Sequence, residues 1–205
     1  VQKRALTNGA VQWVSVGTVF YITSWPTCAV FNENYILVVN AISGVDLSIQ
    51  VQTWNAATGA LVASAEIDVY NQFDTRSYSM AVDPTSNRVY VTGIPADRSD
   101  PTLGGPIFGL TVNPTTGALT FDWRVDDARI LGSYPQLVTI DTQGNMVYIA
   151  QNQRLTWRNA AGVIVASVPT PPLFSMPYIV TDAFSKTLVL FRSGFTNSFL
   201  YCYRV

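Results

Sequence analysis

An eleven-residue phrase that occurs four times constrains this chain more than any other feature. Its clearest copy is Ala81-Val82-Asp83-Pro84-Thr85-Ser86-Asn87-Arg88-Val89-Tyr90-Val91. Degraded copies run from Ala29 to Val39, from Thr139 to Ile149 and from Val180 to Leu190. Each copy reads strand, polar turn, strand. Asp-Pro and Gln-Gly are turn chemistry, because proline presets φ and glycine accepts positive φ. The flanks are rich in Val, Ile, Tyr and Leu, which suit a pleated surface. A repeat of roughly 40 to 60 residues made only of strands and turns points to a β-propeller.

A second phrase interleaves with the first. Val51-Gln52-Thr53-Trp54-Asn55-Ala56-Ala57-Thr58-Gly59-Ala60-Leu61 is echoed from Gly109 to Leu119, and again, one residue shorter, from Thr156 to Ile164. The N-terminus carries a further copy, in which Val1, Gln2, Gly9 and Ala10 match Val51, Gln52, Gly59 and Ala60. The first phrase supplies strands A and B of a blade, and the second supplies C and D. The expected fold is all-β, a propeller of four-stranded antiparallel blades in one domain over residues 1–205. Full blades are expected at 28–67, 79–125 and 137–168, with an incomplete blade at 178–205. Residues 1–16 form a C–D hairpin or a closing strand. With about four blades visible, the chain is either a closed four-bladed ring or a section of a larger propeller. The in-register match at the N-terminus favours the section, since it supplies one C strand more than a four-bladed ring needs. Two or more copies combining into one ring, or a larger assembly, is a third arrangement.

Composition narrows the function. The 205 residues are 48% hydrophobic and 12% charged, which argues against disorder. The longest apolar runs are strand-sized, so no membrane insertion is expected. With a net charge of −1 and no basic patch, nucleic acid is not an expected partner. The chain holds no histidine, which removes any histidine base, triad or metal ligand within these residues. Cys28 and Cys202 lie near opposite ends; a disulfide closing a ring and two unpaired thiols both fit that placing. Few lysines and many Thr, Ser and Asn residues point to an extracellular or cell-surface protein; Val1 to Phe20 alternates and holds two early cations, which does not read as a signal peptide, as expected of a mature, processed or truncated chain.

Loop lengths point to a face. The A–B and C–D turns are short. The D–A connections are long, and so are the B–C connections, above all Gly93 to Pro106. In an up-and-down blade these two classes lie on opposite faces, so the elaborated loops share one face, where binding residues are expected. The candidates there are Trp25, Tyr70, Asp74, Arg76, Tyr78, Asp97, Arg98, Asp126, Asp127, Arg129 and Tyr134. Aromatic rings beside Asp and Arg suit sugar or peptide recognition: the ring supplies area and the polar groups supply direction. The acidic residues lack the alternation of a calcium loop, so no metal is expected. Trp54, Trp123 and Trp157 sit in C or D strands and are expected to pack. The repeated Asp83, Asp141 and Asp182 are expected to cap the A–B turns rather than to catalyse.

Val82-Asp83-Pro84 followed by Asn87-Arg88-Val89-Tyr90-Val91-Thr92 resembles the YVTN-type surface-propeller repeat. Asn113-Pro114-Thr115-Thr116-Gly117-Ala118-Leu119-Thr120 resembles the repeat of the lactonase-like seven-bladed propellers. As a repeat pattern the resemblance covers most of the chain. It implies the propeller architecture. The lactonase-like group includes sugar-lactone hydrolases whose sites use acidic residues, histidine and arginine. No catalytic motif of that group matches this chain residue by residue, and no catalytic residue is assigned. The expected function is therefore a non-catalytic binding or structural module without a cofactor, recognising a glycan or protein partner through the long-loop face. The alternative is a lactonase-like hydrolase or a fragment of one.

Overall fold

The computed structural model describes residues 2–4, 11–14, 27–42, 48–68, 74–94, 104–128, 138–150, 152–170, 178–181, 186–193 and 197–204. Among them are seventeen strands and no helix. Strands β1 (Gln2–Arg4) and β2 (Val11–Val14) form an antiparallel pair. Four strands then make the first blade, in the order β3 (Thr27–Val30), β4 (Tyr35–Ile42), β5 (Ser48–Asn55) and β6 (Leu61–Asp68). The second blade comprises β7 (Asp74–Asp83), β8 (Arg88–Ile94), β9 (Gly105–Val112) and β10 (Leu119–Ala128). The third comprises β11 (Thr139–Ile140), β12 (Met146–Ala150), β13 (Arg154–Arg158) and β14 (Ile164–Pro169). A single Ala128↔Ala150 pairing joins these two blades into one eight-stranded sheet. The last sheet is β15 (Tyr178–Thr181), β16 (Lys186–Ser193) and β17 (Asn197–Arg204).

The period-two geometry of strands explains how blades stack. In β4, Leu37 and Val39 face the second blade, where they meet Val89, Val91, Phe108, Leu110 and Val112. Alternate residues of the second blade, Tyr90 and Ile107, turn the other way and pack on Met146, Tyr148 and Ala150 of the third. Val147, Ile149, Leu155 and Trp157 in turn meet Ile179 of the last sheet. Both faces of β8 and β12 are thus covered, which is why these strands read as nearly unbroken apolar runs. Each such side chain contributes roughly 1.5–3 kcal/mol when fully buried. The first strands of consecutive sheets lie side by side, β3 by β7, β7 by β11 and β11 by β15.

The turns follow from specific side chains. Asp83 Oδ1 accepts the Thr85 N–H, and its Oδ2 accepts the Ser86 hydroxyl. Asp141 Oδ1 accepts the N–H groups of Gln143 and Asn145. Asp182 lies outside the described residues. The C–D turns have their own cap, an asparagine: Asn55, Asn113 and Asn159 each accept two backbone N–H groups through Oδ1. Gly59, Gly117 and Gly162 close these turns at φ of 71°, 72° and 77°. One connection departs from expectation. The B–C link of the third blade is short, because Gln153 takes φ 61° and donates its N–H to the Ala150 carbonyl. Trp157 and Trp54 are buried, and Trp123 is half-buried against Gly109 and Gly162.

Candidate functional site

Hydrogen bonds sort the connections into two ends. At one end the A–B and C–D turns touch: Ala56 N–H donates to the Asn34 carbonyl, and Val112 N–H to the Asn87 carbonyl. At the other end the B–C turn of the third blade meets the start of the following D–A connection, where the Thr170 N–H and hydroxyl both donate to the Gln153 carbonyl. The two long classes of connection therefore share an end.

The turn end is laced from blade to blade. The Tyr35 hydroxyl donates to the Thr115 carbonyl of the second blade at 2.5 Å. The Tyr90 hydroxyl donates to the Gly144 carbonyl of the third at 3.2 Å, and Trp123 Nε1 donates to the Ala160 carbonyl at 2.9 Å. Burial pushes the Tyr90 hydroxyl up to about 12, with Asp83, Asp122 and Asp141 adding to the rise and Arg88 opposing it. Tyr90 thus stays a neutral donor across the physiological range.

The loop end is irregular where the turn end is regular. β7 pairs Asp74 with Ile94 and Tyr78 with Gly93, so residues 75–77 are extra and the strand bulges. Bulges re-aim side chains and are frequent beside binding sites. Asp74, Arg76 and Tyr78, read from the sequence as connection residues, stand on this bulged strand. Gly104 stands just before β9 at the same end of the blade. A Cβ there would sit 2.3 Å from the Asp126 carbonyl oxygen, so only glycine lets the backbone at 104 press against Asp126 and Asp127. The structure thus brings the β7 bulge and the Asp126–Asp127 segment to the same end of one blade.

Asp126 pairs with Arg124, Nε to Oδ1 at 2.9 Å. Asp127 is clasped by two residues of the third blade. Its Oδ2 accepts from the Tyr148 hydroxyl at 2.5 Å and from Arg158 Nη2 at 2.6 Å. Arg158 Nε donates to the Tyr148 hydroxyl oxygen, and Nη1 to the Gly162 carbonyl, both at 2.6 Å. Burial, reinforced by the bond to Asp127 and opposed by Arg158, holds the Tyr148 hydroxyl well above the usual tyrosine range. For Arg158 burial pulls downward, but its bonds to Asp127 and Tyr148 outweigh it and keep the guanidinium charged. Every guanidinium nitrogen is engaged, so this cluster acts as a clasp between blades.

Trp25, Tyr70, Asp97, Arg98, Arg129 and Tyr134 lie outside the described residues. Cys28 stands on β3 as an exposed, free cysteine. Cys202 lies on β17. Among the described residues, no group of three or more Cys, Asp or Glu is arranged to hold a metal. Sequence reading missed Tyr148 and Arg158. The available signal was Arg158 itself, a cation in the repeat position that Trp54 and Val112 occupy in the other blades.

No protein-family model and no curated protein matches this chain. Solved structures do. The periplasmic gluconolactonase PpgL of Pseudomonas aeruginosa matches with a TM-score of 0.55 and 12% identity, over 100% of this chain and 63% of that one. A protein from Lactobacillus plantarum matches with a TM-score of 0.50 and 12% identity, over 84% of this chain and 53% of that one. The β-propeller domain of the trilobed protease from Pyrococcus furiosus matches with a TM-score of 0.48 and 10% identity, over 84% and 52%. The chain therefore spans between about half and just under two thirds of the length of these structures. The likeness is one of fold: a β-propeller of four-stranded antiparallel blades, similar to the lactonase-like propellers.

Proposed function

We propose that this chain is a non-catalytic recognition module, extracellular or cell-surface, that binds a glycan or a protein partner at the loop end of its blades. The observation that carries the proposal is the bulge in β7, which sets Asp74, Arg76 and Tyr78 at the start of a first strand, at the same end of the blade as the segment of Asp126 and Asp127. A first strand is rigid, and a bulge on it frees backbone and side chains from the ladder, which suits recognition better than a floppy loop does. Among the described residues at this end and in the turns, several polar groups that could do chemistry are engaged. Asp127 and Arg158 neutralise each other, Asp126 holds Arg124, and Asp83 caps its turn. Tyr, Arg and Asp together offer an aromatic face and directed hydrogen bonds, the combination that pyranose rings and peptide backbones use.

Binding to a glycan array and to an extracellular protein panel is the direct test. Tyr78→Ala and Arg76→Ala should each abolish the captured signal while leaving the melting temperature unchanged. The likeness to a gluconolactonase motivates the rival reading, a lactone hydrolase. Turnover of a lactone panel with or without added divalent cations, lost in the Asp74→Asn variant, would overturn the binding proposal in its favour.

A further inference from the structure

Arg88, Arg124 and Arg158 each hold a carboxylate, that of Asp122, Asp126 and Asp127 in turn. Arg154, the other arginine whose side chain the structure describes, has no acidic partner among the described residues. Its partner is the neutral Ser167. Nε donates to the Ser167 hydroxyl oxygen at 2.8 Å, and Nη2 to the Ser167 carbonyl at 2.6 Å. Arg124 presents the same two nitrogens to the two carboxylate oxygens of Asp126, at 2.9 and 3.3 Å. Serine thus aims the Arg154 guanidinium as a carboxylate would, but leaves its charge uncompensated. A guanidinium carries its N–H donors in a rigid fork. Ser167 takes the Nε–Nη2 edge. The Nη1–Nη2 edge stays free, and such an edge takes a carboxylate through two parallel bonds.

The backbone leading to Arg154 is held in an uncommon shape. Among the described residues, only Asn87 and Gln153 take positive φ without being glycine. Asparagine visits that region readily and glutamine does not. Such strain persists where the surroundings impose it, and it gathers at ligand sites. Here the Ala150 carbonyl accepts the Gln153 N–H, and the Gln153 carbonyl accepts two bonds from Thr170. The fork therefore stands on a pinned turn. It stands at the loop end and is only half-buried: Arg154 pairs with Ala150, and Ala150 with Ala128, the residue after Asp127.

We propose that Arg154 is a carboxylate-binding subsite at the loop end, and that its ligand is a glycan bearing uronate groups. The inference rests on the reading of the loop end as a recognition surface. The Thr156 hydroxyl lies 3.3 Å from that of Ser167. Hydroxyls both donate and accept, as do the ring hydroxyls that flank a uronate carboxylate. An acidic side chain of a peptide brings acceptors only, so the surroundings of the fork favour the sugar.

The test is isothermal titration with a short oligogalacturonate, with its methyl ester and with a glutamate-rich peptide. The oligogalacturonate should bind, its neutral ester about tenfold more weakly or less, and added salt should lower the affinity of the acid form. Arg154→Gln should weaken binding about tenfold or more at an unchanged melting temperature. Ser167→Asp keeps the arginine but gives it a carboxylate of its own, so it should weaken binding as much. If Arg154→Gln does not fold, the Ser167→Asp variant decides. Equal affinity for acid and ester, indifference to both variants, or tighter binding of the peptide would overturn the subsite. A neutral glycan captured by the parent protein and by Arg154→Gln, and lost in Tyr78→Ala, would overturn the subsite and keep the recognition surface. Capture of no glycan and no protein would remove both.

Discussion

At the scale of single residues, this fold depends on side chains that organise turns. Asp141 holds three donors, the N–H groups of Gln143 and Asn145 and the Asn145 amide. Asp141→Ala should cost about 1–2 kcal/mol in urea unfolding and leave ligand capture intact. Gly162 is harder to replace. A Cβ would add strain at φ 77° and approach Trp123 to within 2.9 Å, so Gly162→Val should cost about 3 kcal/mol, read as a fall in the urea midpoint. The tyrosines give a pH signature. Tyr90 is raised to about 12 and Tyr148 is raised further, while an unfolded tyrosine ionises near pH 10. Below about pH 10 both states hold the proton and the stabilisation is fully present. Above it the unfolded chain ionises first, so stability should decline as pH rises towards and through 12. Tyr90→Phe should flatten that decline in urea midpoints taken from pH 8 to 12.

At the scale of elements, what was legible in the sequence was what repeats. Strand pairs and tight turns recur because every blade must form the same ladder, and Asp83 and Asp141 announce their turns by position. The asparagine caps of the C–D turns were equally periodic, at Asn55, Asn113 and Asn159. They passed unnoticed because the glycine four or three residues later already explained the turn. The clasp of Asp127, Tyr148 and Arg158 was not legible. Its members come from three strands in two blades, and no spacing along the chain encodes that meeting. Nor was the β7 bulge, since nothing in Asp74 to Tyr78 marks three residues as extra to the ladder. Arg158→Met should leave Asp127 without its cation and cost about 2–3 kcal/mol in urea unfolding. A midpoint equal to that of the parent protein would show that the clasp contributes nothing.

For the whole molecule, the two blades fused through Ala128 and Ala150 should behave as the stable centre. β8, β9, β12 and β13 are covered on both faces and both edges, so their amides should exchange slowest in native-state hydrogen exchange. β6, β10 and β14 should exchange faster. Uniform protection across all the blades would argue against this ranking.

The lacing at the turn end has a wider consequence. Tyr35, Tyr90 and Trp123 all donate forward, from one blade to the next, and each meets a backbone carbonyl. A carbonyl belongs to every residue type, so the receiving blade must offer only the shape of its turn. Neighbouring repeats can therefore drift apart in wording without losing their connection. A whole blade inserted in frame would find a donor behind it and present a turn to receive it. Genetic duplication of such a unit meets little resistance from its neighbours, and this accounts physically for a phrase that persists along the chain while its letters decay.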